Sequence, residues 1–163
     1  MGAWDVSVFS NDDAADFGYE FDDANTATEV ASVIDAALDA VLGSSDDVDG
    51  SDGAAGLAAA ALVVAWNEPE MLQDDENYAP QPWPRSPDPL PDHLAAKAAA
   101  VLDRMKDPEE NELGELWMES GQWEDFTAEI SRWRARLLTS MPRGDSPGNT
   151  RNGPSPCPVE VPL

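Results

Sequence analysis

Residues 54–66 read AAGLAAAALVVAW, a run with no charged side chain and only the closing indole able to hydrogen-bond. Alanine and leucine favour helix. A helix that is apolar on every side is stable only when other elements surround it. The run therefore predicts an all-α fold: a single compact bundle of about five to six helices, centred on Leu57 to Trp66, with the second and last helices packed against it. At 13 residues it is shorter than the ~20 needed to span a bilayer. Pro69 bounds it on the far side.

Working back towards the N-terminus, helix punctuation is legible. Ser10 or Asn11 can cap a first helix, with Asp12 and Asp13 at its positive end and Ala14, Phe17 and Phe21 on one face. Phe9, just before the cap, is placed to staple onto the first turn. Thr26 and Glu29 form a capping box for a second helix carrying Val30, Val33, Ile34, Ala37, Leu38, Val41 and Leu42, closed by Gly43. Residues 44–53, SSDDVDGSDG, read as a disordered acidic loop.

Working forward, six prolines fall between Pro80 and Pro91, so this stretch is no helix; Trp83 within it implies an extended strap packed on the domain. A fourth helix starts at Asp92, with Leu94, Ala98, Val101, Leu102 and Met105 on one face. Asp107-Pro108-Glu109-Glu110 looks like the next start: an Asp cap, Pro at the first helical position, Glu at the box position. Gly121 breaks the chain before a last helix with Trp123, Phe126, Ile130, Trp133 and Leu137 inward and Arg132, Arg134 and Arg136 near a negative C-terminal end. The expected organisation is a helical domain over 1–139 and a disordered Pro/Gly/Ser-rich tail over 140–163.

Charge narrows function. The chain holds 9 Lys+Arg against 33 Asp+Glu, a net charge of -24. Residues 1–84 contain 19 acids and no Lys or Arg; Arg85 is the first base. Such a chain is a poor ligand for nucleic-acid phosphates or anionic membranes. One cysteine and one histidine, His93, leave no framework of disulfides and no histidine cluster for a metal. No cofactor is expected. Residues 1–20 show no basic segment leading into an apolar one, so the cytoplasm is the expected location. The acidity fits a merely solvated surface or an acidic proteome. It also fits a surface that steers a basic protein partner.

Two acidic groups are candidates for such a partner: Asp12, Asp13 and Asp16 on the first helix, and Asp46, Asp47, Asp49 and Asp52 in the loop. The loop is no EF-hand: with Asp47 first, position 6 is Asp52 rather than Gly and position 12 is Ala58 rather than Glu. A different grouping would serve catalysis. Glu112, Glu115 and Glu119 fall at i, i+3, i+7; with Asp35 and Asp39 they could hold magnesium, as in all-helical nucleotide pyrophosphohydrolases. His93, beside Asp92, reads as a surface residue at a helix start.

The opening Met1-Gly2-Ala3-Trp4, with Phe9, Asn11-Asp12, Ala14 and Asp16-Phe17, resembles a family of small acidic bacterial proteins known as a domain of unknown function, which opens M-G-x-W-G-x-G-x-F-x-N-D-x-A-x-D-W/F. Asp5 and Ser7 replace two of its glycines. Glu115-Leu116-Trp117-Met118-Glu119-Ser120, followed by Trp123, looks like the same family's closing signature, so the resemblance spans roughly 1–138. It implies a mainly helical domain and no particular reaction. Two functions follow as expectations: a non-catalytic acidic interaction module in the manner of an antitoxin, an immunity protein or a nucleic-acid mimic, or a magnesium-dependent nucleotide hydrolase.

Overall fold

Six α-helices make up the computed structural model, which describes residues 7–75 and 79–140: α1 (Asp12–Tyr19), α2 (Ala27–Leu42), α3 (Gly50–Asn67), α4 (Asp92–Met105), α5 (Glu112–Glu119) and α6 (Trp123–Ser140). The N-terminal Met1-Gly2-Ala3-Trp4 segment and the 140–163 tail, Ser140 backbone apart, lie outside the described residues. Helix α3 is the axis of the bundle, as its composition requires. Every residue from Gly56 to Trp66 is buried, and α3 touches α1, α2, α4, α5 and α6. Gly56 serves the approach of α2. A Cβ there would overlap a methyl of Val41 on α2 and make only ordinary contact with Val101 of α4, so glycine lets the Val41 side chain pack directly on the α3 backbone.

The capping signals of α1 and α2 are realised in detail. Asn11 Oδ1 accepts the Ala14 N–H at 2.7 Å, and Thr26 and Glu29 close the reciprocal box on α2. The Glu29 carboxylate accepts N–H groups of Asn25 and Thr26 at 2.8 and 3.1 Å, which hold its carboxyl below the usual range. The predicted inward faces are buried on α1 and α4; on α2 Val30, Ile34, Leu38 and Val41 are buried while Val33, Ala37 and Leu42 are only partly covered, and Gly121 takes a left-handed φ of 79° where α5 turns into α6. Phe9 reaches further than its own helix: its ring stands edge-on to Trp133 of α6, 6.2 Å between centroids.

The Pro-rich strap is packed down by its aromatic. Trp83 is buried, donates its indole N–H to the Leu62 carbonyl of α3 at 3.1 Å, and meets Phe21 and Trp66 edge-on at 5.3 and 5.2 Å.

Three expectations fail for physical reasons. Residues 44–53 are not a loose loop: Asp49 caps α3, whose first turn is Gly50–Gly53, and buried Val48 pairs with Asn111 in a parallel bridge. Arg104 fixes the same stretch by donating to the Val41 and Asp46 carbonyls, satisfying the end of α2. Asp107-Pro108-Glu109-Glu110 is a turn rather than a helix start. The cap is Asn111, which Val48 anchors by exchanging backbone hydrogen bonds with Glu110 and Glu112 at 2.9 and 3.0 Å. Finally, α6 runs on to Ser140, so its arginines sit too far back to complement its C-terminal end. They tie helices together instead: Arg134 to Asp103 of α4, Arg136 to Glu68 beyond α3, and Arg132 to Glu129 within α6.

Candidate functional site

Tertiary structure joins two acidic segments that are far apart in sequence. The Ser51 hydroxyl at the start of α3 donates to Asp13 on the first turn of α1 at 3.1 Å. Asp13, Asp16 and Glu20 follow at i, i+3, i+7, a helical spacing that keeps them on one side of α1. Asp52 stands next to Ser51. Between α1, α2 and α3 lies a groove of about 190 Å³, floored by Phe17, Val33, Ala36, Ala37, Ala40 and Ala55 and edged by Glu20 and Asp52. Glu20 is a member that the sequence offered no reason to single out beyond its spacing from Asp13.

The seven predicted aspartates are not equivalent. Asp49 is spent on capping, accepting the Ser51 N–H at 2.8 Å. Asp46 and Asp47 sit on the stretch held by Arg104, with the Ser44 hydroxyl donating to both of their carbonyls. Asp12, Asp16 and Asp52 are exposed and Asp13 half-buried, and none of these four forms an ion pair among the described residues. Glu20 and Asp52, both exposed and in no ion pair among the described residues, therefore leave negative charge on the groove edge.

The carboxylates grouped for magnesium are separated. Glu112 turns to the start of α3 and accepts the Gly50 N–H at 2.8 Å. Asp35 and Asp39 instead face α4, where Lys97 donates to both and His93 Nε2 lies 3.2 Å from Asp35. No group of three His, Cys, Asp or Glu among the described residues is arranged to hold a metal ion. The Lys97 ammonium holds the Asp35 carboxyl below its usual value, and Asp35, with Asp39, raises Lys97 in return. His93 is thus a surface residue of α4, as expected, but one that reaches across to α2.

The sequence matches the family described as a domain of unknown function, DUF4259, over residues 2–129. The chain belongs to that family. The matched span takes in α1 to α5 and the first turns of α6, so the groove and both acidic segments lie inside it. No curated protein and no solved structure gives a match. No helix among the described residues is long and apolar enough to cross a membrane.

Uncompensated charge on this DUF4259 domain has a measurable consequence. Repulsion among surface carboxylates opposes compaction, and its range shrinks from ~30 Å at 0.01 M salt to ~3 Å at 1 M. The melting temperature should rise across that interval of NaCl; a flat or falling response would show that the acids are locally compensated. Mild acid should change little. Asp35 and Glu29 have lowered folded-state pKa values, so their stabilisation is complete above the ordinary 3.8 and 4.5 and is lost only as pH falls through the lower folded values. Lys97, raised, contributes below its ordinary 10.5 and loses that contribution only in stronger alkali.

Proposed function

We propose that the chain is a non-catalytic acidic interaction module that binds a basic protein partner, in the manner of an antitoxin, an immunity protein or a nucleic-acid mimic. The observation that carries this reading is the groove between α1, α2 and α3, with its apolar floor and its edge of Glu20 and Asp52 beside Asp13 and Asp16. A lysine or arginine side chain has matching chemistry: an apolar stem for the alanine floor and a cationic head for the carboxylates. Charge of one sign around a low-dielectric cleft concentrates the field there and speeds the encounter with an oppositely charged surface.

The test is co-purification from the native host, with two variants of equal charge change. A basic protein should be retained at ~0.05 M salt and released by ~0.5 M, as expected where screening controls the encounter. Glu20→Gln with Asp52→Asn, which alters the groove edge, should abolish retention. Glu124→Gln with Asp125→Asn, two exposed acids on α6, should preserve it. Equal loss in both variants, or no partner at low salt, would refute the assignment.

A further inference from the structure

We propose that a second cavity, between α1 and the Pro-rich strap, binds a small zwitterion of the amino-acid class, with its carboxylate on Arg85 and its ammonium on Asp22. Arg85 is the base that breaks an 84-residue run without Lys or Arg, and it is only partly exposed. Its Nε is shut off from solvent and has no hydrogen-bond partner. Arg104, Arg132, Arg134 and Arg136 each meet a carboxylate, whereas Arg85 forms no ion pair among the described residues. In a chain where acids outnumber bases 33 to 9, an arginine left without a carboxylate points to an acceptor arriving from outside, which must reach the guanidinium through its other nitrogens because Nε is closed to solvent.

Arg85 lines a cavity of about 230 Å³ with Gly18, Tyr19, Asp22, Pro80 and Gln81. That is below the ~300–1,000 Å³ of sites for drug-sized ligands, so the occupant is small. A guanidinium presents a planar fork that matches a carboxylate. A simple anion would be opposed by Asp22 in the same lining and by the net charge of -24; a simple cation would be opposed by Arg85. A ligand carrying both signs satisfies both groups. Tyr19, 69% exposed, supplies an aromatic face for an apolar side chain. The cavity uses Gly18, Tyr19 and Asp22, while the partner groove uses Phe17 and Glu20, so the two readings stand or fall separately.

The experiment is an NMR titration of the full chain with each of the standard amino acids, with acetate and methylammonium as single-charge controls. At least one amino acid should give saturable shifts at the Gly18, Tyr19 and Gln81 amides with a Kd below ~1 mM. Arg85→Met should weaken it by ~10-fold or more, the scale of a lost charged hydrogen bond. Asp22→Asn, at an exposed position that does not threaten folding, should also weaken it, and keeps the test valid if Arg85→Met does not fold. Acetate binding as tightly as the best amino acid, unchanged affinity in Asp22→Asn, or no saturable response to any amino acid would overturn the proposal.

Discussion

Trp66→Ala should cost about 3–5 kcal/mol of folding stability, the range for emptying the site of a large buried aromatic. The indole is 6% exposed at the end of α3, donates its N–H to the Asp88 carbonyl at 2.8 Å, and stands edge-on to Trp83. Trp83 in turn meets Phe21, and Phe21 meets Phe17 of α1 at 5.1 Å. One side chain thus holds the strap and, through it, α1. Trp66→Phe keeps the ring contact and gives up the hydrogen bond; Asp88 is exposed, so water can replace the lost donor and the cost should be nearer ~1 kcal/mol. Denaturant titration of both variants checks the pair. A Trp66→Ala loss under about 1 kcal/mol would place Trp66 outside the core, since surface changes usually stay within ~0.5 kcal/mol.

The second large effect is expected at Asn111, which is 1% exposed. Its Oδ1 accepts the Gly114 N–H that opens α5, while its Nδ2 donates to the Met105 and Asp107 carbonyls at 3.2 and 2.8 Å. One amide therefore begins α5 and ends α4. Asn111→Ala removes a helix cap, worth ~1 kcal/mol, and also strips a donor from carbonyls at the end of α4, for a total of about 2–4 kcal/mol. Asn11→Ala, which removes an equivalent cap bond from α1, should cost only about 1 kcal/mol and serves as the reference. Asn111→Asp retains the acceptor but turns it towards two carbonyls, so it should not rescue. Equal losses at Asn11 and Asn111 would show that the Nδ2 bonds contribute nothing.

Asn11 and Asn111 are the buried polar residues among those described, and each caps an eight-residue helix. The first was legible in sequence and the second was not. Asn11 precedes two acids and an apolar face, and its competitor, Ser10, stands right beside it and marks the same helix start. Asn111 follows Asp107-Pro108, which satisfies the local rules for a helix start equally well. Val48, 63 residues earlier, decides between them by bridging to Asn111, and no local rule contains that contact.

The candidate site divides in the same way. Sequence supplied its charge, because an 84-residue run without Lys or Arg needs no coordinates to be noticed. It could not show that Asp13 and Ser51 touch, or that an alanine floor lies between Glu20 and Asp52, since those facts depend on how α1 and α2 cross α3. It likewise grouped Asp35 and Asp39 with the α5 glutamates on spacing alone. Packing of α2 against α4 gave those aspartates to Lys97 instead.

By itself, the sequence determined the helices, their inward faces and the central place of α3. Those follow from side-chain periodicity and from an apolar run that must be enclosed, and both are local or compositional properties. Only the tertiary structure decided where residues 44–53 and 107–111 join helices, which carboxylates keep a free charge, and which arginine lacks a partner. Each of those depends on contacts between residues tens of positions apart, where a hydrogen bond or ion pair forms only once packing has set the distance.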